Sequence, residues 1–359
     1  MTETNFFSDQ QINSGRQKEL DWARGLAVVF MVFKHTKEYL PGFDLSSAYS
    51  RVICFLGAAP AGPTFMILLG AGIVFSRNKS PKKLALRGAS LIALNYALNF
   101  AAFGMPELIL FAQTGDVAFW KDCVLYTLGV DILAFAGLAL LFFALAEKLR
   151  LPPVDVALVA LILSCLNYLT PRVDNFPLGA AAGLFADVND NSYFPLLSWI
   201  GYPVMGYIFG RFLIRCTDKR LFYKYIFAFS AFSVAAFSLG SRKHGFSGVW
   251  SLFFGADEYF SQDFIQYFLV GGICFLWISI LFSLSEIGAL DFAGKHLSRW
   301  SRNVTPMFVA HWVIVGWLEL SPVNFPENPY VNFITGVAIV MLSDAAAVLY
   351  RLREVRGKS

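Results

Sequence analysis

Apolar residues in this chain fall into long runs that are separated by short polar connections. Most runs approach the ~20 residues that a helix needs to cross a hydrocarbon core. A shorter run, the fifth, keeps the same spacing. The pattern predicts an all-α, polytopic membrane protein with about ten transmembrane helices, near 21–40, 53–76, 84–104, 123–146, 154–170, 195–214, 222–240, 264–285, 304–321 and 330–350.

Basic residues mark every second connection, whereas the alternate connections are mostly acidic or neutral. Positive charge collects on the cytoplasmic side of membrane proteins. Both termini are therefore expected in the cytoplasm of a multi-pass protein of the inner or plasma membrane. The predicted layout is a cytoplasmic tail over 1–19, a transmembrane domain over 20–351 and a basic cytoplasmic tail over 352–359.

The amino-acid composition is typical of a membrane protein. Hydrophobic residues make up 57% of the 359 positions and charged residues 15%, well below the roughly 25% of soluble domains. The net charge is +4, and the basic residues lie in short clusters beside apolar runs, so nothing favours nucleic-acid binding. The five cysteines are scattered without a metal-ligand spacing, and no metal is expected.

A polar stripe runs along the first apolar segment. Eleven steps of about 100° bring a helix back to nearly the same face, so Arg24 and His35 share one side, roughly 16 Å apart along the axis. Asp21 precedes Arg24 by one turn, and Glu38 follows His35 by one turn. An imidazole at membrane depth is a candidate general base. Glu38, or Asp21 with Arg24, is a candidate for orienting it, whereas interhelical packing is the structural alternative.

Other polar residues form two groups. Arg24 and the basic residues Lys82, Lys83 and Arg87 are candidate cations for a phosphorylated or CoA-type donor, or alternatively cytoplasmic anchors. Glu38, Asp131, Asn95 and His311 lie within predicted spans. They are candidates for binding a substrate, or for hydrogen bonds between helices.

Two further features point to a cavity. The second span contains AAPAGPTF, a break that lipid does not tolerate unless protein or a cavity satisfies the freed backbone. The predicted outer segments 105–121, 171–194 and 241–263 are longer than a connection requires, as binding loops often are.

The segment LDWARGLAVVFMVFKH (20–35) resembles the first-helix signature of integral-membrane acyltransferases, in which an Arg is followed by ten residues and a His. The resemblance extends to the acyltransferase-3 family, and it is closest to bacterial relatives of heparan-alpha-glucosaminide N-acetyltransferase. Four further segments carry that likeness: GPTFMILLGAGIVFSR, KKLALRGASLIAL, SWIGYPVMGYIFGR and SRNVTPMFVAHWVIVGW.

This resemblance implies a bundle of transmembrane helices that moves an acyl group, typically acetyl from acetyl-CoA or another acyl-CoA, across the membrane. The acceptor would be an extracytoplasmic glycan or amino sugar. Carried over by position, His35 would be the base, Arg24 part of the first-helix site and Arg87 a donor-side cation. The lipid bilayer is the expected partner, and a homodimer stays open.

A different class of function competes with this one. A proton-coupled transporter or exporter of a small polar or lipid-linked solute could use His35, Asp131 and His311 as a proton path. Coupled transporters usually show repeated halves, and no internal repeat is seen in this sequence. A non-catalytic membrane scaffold is a third alternative. Binding of CoA separates the enzyme from the transporter, and the number of polar residues at membrane depth disfavours the scaffold.

Overall fold

A computed structural model describes residues 6–39, 47–77, 79–173, 178–186, 191–240, 262, 264–319 and 328–356. Secondary structure in these ranges is helical apart from two isolated bridges. The helices are α1 (Lys18–Tyr39), α2 (Ala48–Gly57), α3 (Gly62–Phe75), α4 (Pro81–Asn99), a π-helical turn (Phe100–Gly104), α5 (Met105–Thr114), α6 (Val117–Thr127), α7 (Ile132–Lys148), α8 (Pro153–Asn167), α9 (Leu178–Ala182), α10 (Leu196–Trp199), α11 (Gly201–Leu213), α12 (Lys219–Gly240), α13 (Phe264–Glu286), α14 (Asp291–Arg302), α15 (Val304–Glu319) and α16 (Pro329–Arg356).

Within the described residues, five helical stretches are long and apolar enough to cross a membrane, as the sequence predicts. Two shorter apolar helices, Pro153–Asn167 and Val304–Leu318, lie in other predicted spans. The complete set of ten spans and the orientation of the termini remain predictions. The five long stretches are Ala48–Phe75, Pro81–Thr114, Lys219–Ser238, Gln266–Glu286 and Pro329–Glu354.

The fourth predicted span differs from expectation, because its helix is interrupted. Helix α6 ends at Thr127 and α7 begins at Ile132, so Asp131 is a helix N-cap instead of an intrahelical residue. Its carboxylate accepts the backbone N–H of Ile132 at 2.6 Å. The Asn99 side chain also donates to the carbonyl of Gly129 at 2.8 Å. Hydropathy is uniform through this stretch, so it does not indicate the break in the helix. The two hydrogen bonds stabilise that break.

The predicted outer segments also differ in part from plain loops. Segment 105–121 is mostly helical, because it holds α5 and the start of α6. Segment 171–194 contains the short α9 among its described residues. Segment 241–263, apart from residue 262, lies outside the described residues.

The chain divides into two compact units. The first comprises residues 1–20, 63–95 and 130–287. Its helices approach closely at small residues, as is common in membranes. A Cβ placed on Gly88 would lie 2.6 Å from the carbonyl oxygen of Gly137, and one on Gly206 would collide with the carbonyl of Ile67. Any larger residue at these positions would separate α4 from α7, or α3 from α11.

The second unit comprises residues 21–62, 96–129 and 288–359. It contains most of α1, the π-helical turn and helices α14 to α16. A Cβ on Gly25 would collide with the carbonyl of Leu297, and one on Gly336 would lie 2.6 Å from the Phe33 ring. These contacts pack α14 and α16 against α1, and they surround the polar stripe that the sequence predicts.

Candidate functional site

Two histidines from distant parts of the sequence meet in the second unit. Nδ1 of His35 on α1 lies 2.9 Å from Nε2 of His311 on α15. Their ring planes differ by 9° and their centroids are 5.2 Å apart, as for two imidazoles that meet edge to edge. His311 is fully buried, whereas His35 stays partly exposed.

The surroundings of His311 determine which nitrogen carries each proton. Nδ1 of His311 lies 3.2 Å from the carbonyl oxygen of Met307, which can only accept. Nδ1 therefore carries hydrogen, and Nε2 of the neutral ring is an acceptor. Nδ1–H of His35 donates to that acceptor, which leaves Nε2 of His35 as the bare nitrogen. Among the described residues, this nitrogen has no hydrogen-bond partner.

Aromatic side chains enclose the imidazole pair. The Trp312 ring stacks on His35 with centroids 4.0 Å apart and planes 18° from parallel. Tyr39 and Phe103 each approach Trp312 edge-on, with centroids 5.3 Å away. Phe308 packs edge-on against His311 at 5.2 Å. Apolar walls of this kind exclude water from a base and strengthen electrostatic interactions beside it.

The π-helical turn helps to build this wall. A π turn leaves a backbone carbonyl without its usual helical partner, and such turns often occur at functional sites. The indole N–H of Trp317 donates to the carbonyl of Ala101 at 3.0 Å. Gly316 lets α15 approach the turn closely, because a Cβ there would collide with the carbonyl of Ala102. The same turn carries Phe103 to Trp312.

The predicted polar stripe on α1 separates into two clusters. At one end, Ser301 donates to Asp21 at 2.9 Å, and the Arg24 guanidinium lies 3.7 Å from the same carboxylate and 3.4 Å from the Ser301 hydroxyl. At the other end, Glu38 forms an ion pair with Lys34 at 2.5 Å. The contact made by the His35 ring nitrogen is to His311 and not to any of these charged groups.

The remaining predicted site residues belong to the first unit. Lys82, Lys83 and Arg87 are exposed on α4. Asn95 accepts the backbone N–H of Ala134 at 3.3 Å. Asp131 caps α7, as described above. The structure therefore brings His311 to His35, and it gives Asn95 and Asp131 backbone contacts.

Sequence reasoning missed Trp312 and Phe103 as parts of the site. Trp312 follows His311 directly, which was an available signal. Phe103 reaches the site because of the π turn, which hydropathy does not indicate. Among the described residues, no three His, Cys, Asp or Glu side chains lie close enough together to hold a metal ion.

Apolar helices around two paired imidazoles, one of them fully buried, define an integral membrane protein with a candidate acid–base site. Residues 16–244 match the family model described as heparan-alpha-glucosaminide N-acetyltransferase, catalytic. This match covers more than half of the chain, so the chain belongs to that family, and membership indicates an acetyltransferase. No curated protein matches the sequence. The matched range includes His35 and ends before His311.

Proposed function

We propose that this protein transfers an acetyl group from acetyl-CoA to a glycan or amino-sugar acceptor on the far side of the membrane. His35 is the general base, and His311 is the residue that orients it. The observation that carries the proposal is the hydrogen bond between the two rings, 2.9 Å long and continued by His311 to the carbonyl of Met307.

A base that is oriented by a second group is the arrangement that acyl transfer commonly uses. The chain from the Met307 carbonyl through His311 holds Nδ1–H of His35 in place, so Nε2 can take a proton. When it does, His35 becomes an imidazolium whose Nδ1–H still donates to His311. The charge that forms during the reaction is thus stabilised by a group already in position.

The reaction balances without a metal or redox group. The oxygen or nitrogen of the acceptor attacks the thioester carbonyl carbon, and its proton passes to Nε2 of His35. The carbon–sulfur bond then breaks, and the departing CoA sulfur takes the proton from His35. An acetylated acceptor and free CoA leave the site. The aromatic wall formed by Trp312, Tyr39 and Phe103 protects the thioester from water.

Exposed basic residues are candidates for binding the CoA donor. A CoA donor carries phosphates, which arginine and lysine side chains bind well. Lys82, Lys83 and Arg87 lie within six residues at the start of α4 and are exposed. Arg24 lies on the same helix as His35, next to Asp21. We assign the three exposed residues to the donor phosphates.

The transporter alternative has weaker support. It requires Asp131 to carry protons together with the two histidines, and Asp131 serves as the N-cap of α7. The histidine pair by itself suits proton transfer in either class. Acetylated product and proton-coupled uptake are different readouts, so one preparation tests both.

The deciding experiment uses the full chain in proteoliposomes with acetyl-CoA labelled on the acetyl carbon. Glucosamine is offered as an amine acceptor and glucose as a hydroxyl acceptor, and products are identified by mass spectrometry. We expect labelled product from the wild type and a loss of about 100- to 10,000-fold in rate for His35→Ala.

His296→Ala is the matched control, because His296 is exposed on α14 and its nearest ring contact is to Trp300. This variant should keep the wild-type rate. Full activity of His35→Ala would refute the base assignment. Absence of labelled product from the wild type, combined with uptake of solute driven by a pH gradient, would favour the transporter.

A further inference from the structure

A buried hydrogen-bond donor beside His35 has no partner. Nε1 of Trp312 is buried, and it contacts no acceptor among the described residues. An indole N–H can only donate, and buried tryptophans usually find an acceptor. Leaving such a donor unpaired costs about 1–3 kcal/mol. An unpaired buried donor is more readily retained where a ligand supplies the missing acceptor.

The lack of a partner does not by itself single out Trp312, because Nε1 of Trp300 and Oγ of Ser343 share it within the described residues. Position distinguishes Trp312. Its ring lies 4.0 Å from His35, nearly parallel to it, and only 6% of the residue is exposed. The indole ring that carries the unpaired donor therefore stacks directly on the proposed base.

Two parallel rings present different chemistry at their edges. Nε2 of His35 accepts a proton, and Nε1–H of Trp312 donates one hydrogen bond. A tetrahedral intermediate of acyl transfer needs both, because the attacking atom loses a proton while the carbonyl oxygen on the same carbon gains negative charge. Stacking places the ring that carries this donor against the ring that carries the base.

We infer that Trp312 is a catalytic residue whose indole N–H binds the thioester carbonyl oxygen and stabilises its negative charge. This inference rests on the proposed acetyl transfer. As the acceptor attacks, the π electrons of the carbonyl move to oxygen, which accepts the hydrogen bond from Nε1. When the carbon–sulfur bond breaks, those electrons return and the bond to Trp312 weakens.

Trp312→Phe tests the inference, because it keeps an aromatic ring against His35 and removes the N–H. The rate constant kcat for acetyl transfer should fall by about 100-fold, as for loss of one oxyanion donor. Trp300→Phe is the matched control. It removes another buried, unpaired indole N–H from the same unit, and it should leave kcat unchanged.

A binding measurement separates this inference from the proposed function. S-(2-oxopropyl)-CoA carries a carbonyl, whereas S-propyl-CoA has the same chain without one, and neither transfers an acyl group. The wild type should bind the ketone about tenfold more tightly, and Trp312→Phe should lose that preference. Equal binding of both analogues by the wild type, or binding of neither, overturns the inference.

The experiments distinguish failure of the inference about Trp312 from failure of the proposed acetyl transfer. Wild-type transfer together with an unaffected Trp312→Phe variant refutes the role of Trp312 and leaves the acetyltransferase standing. Absence of transfer in the wild type refutes the proposed function. If Trp312→Phe does not fold, 3-benzothienylalanine at this position keeps the bicyclic shape and replaces N–H by sulfur. Wild-type kcat in that variant overturns the inference, and loss of kcat supports it.

Discussion

His35 and His311 are 276 positions apart in the sequence, yet their ring nitrogens lie within 2.9 Å of each other. Their helices run in the same direction, because Arg24 near the start of α1 lies beside Ser301, just before α15. Further along, the last turns of α1 and the middle of α15 bring the two imidazoles together. The polar stripe of α1 is thus completed by a residue of α15.

Replacing His311 should affect catalysis more than substrate binding. In His311→Ala the Nδ1–H of His35 loses its acceptor, so the base is no longer held in one tautomer and orientation. We expect kcat to fall by about 100-fold with little change in KM, since the interaction acts in the transition state. Steady-state kinetics of acetyl transfer measure both quantities.

His311→Gln is the conservative variant for the same position. A glutamine amide has an oxygen that can accept from His35 and an N–H that can donate to the carbonyl of Met307. It should therefore recover a clear part of the activity that alanine loses. Equal rates in the two variants would argue that His311 only fills space.

Gly316→Ala should damage both stability and activity. The added Cβ would collide with the backbone carbonyl of Ala102, which cannot rotate away as a side chain could. Overpacking of this kind costs about 1–3 kcal/mol. It also pushes α15 away from the π turn that carries Phe103, so transfer should slow. Thermal unfolding in detergent and the transfer assay test these effects.

Gly15→Ala is the control for that change, because a Cβ on Gly15 would have nothing within 4 Å. Its unfolding temperature and rate should match the wild type. A Gly316→Ala protein as stable and active as the control would show that the close approach of α15 to the turn is dispensable.

Asp131 offers a test between a structural and a proton-carrying role. Asp131→Ala removes the cap of α7 and should cost about 1 kcal/mol of stability. Asp131→Asn keeps an oxygen that can accept from Ile132 and should restore most of that stability together with full acetyl transfer. Denaturation curves and rates are compared for both variants. A strong loss of function in Asp131→Asn, with stability retained, would instead favour the proton path.

The donor side can be probed at Arg87. If its guanidinium binds a phosphate of CoA, Arg87→Gln should raise KM for acetyl-CoA by about tenfold, equivalent to 1.4 kcal/mol, while kcat stays constant. Lys224→Gln removes another exposed positive charge, from α12, and should leave KM unchanged. The same increase in both variants would indicate a general charge effect instead of a phosphate contact.

The sequence by itself determined the all-helical class and the family, and it predicted candidate site residues on the first helix. Those properties follow from local patterns: apolar runs of membrane length, and the spacing of Arg24 and His35 along one helix face. It also marked His311 and the break in the second span. Periodicity and hydropathy act over neighbouring residues, so they predict helices well and partners poorly.

Only the tertiary structure decided what His35 contacts. Sequence favoured Glu38 or the pair of Asp21 and Arg24, which are neighbours on the same helix, whereas the fold brings His311 from a distant helix. The interruption before Asp131, the π turn and the unpaired indole of Trp312 likewise have no local signature. Each depends on how backbones and rings pack after residues far apart in the chain have met.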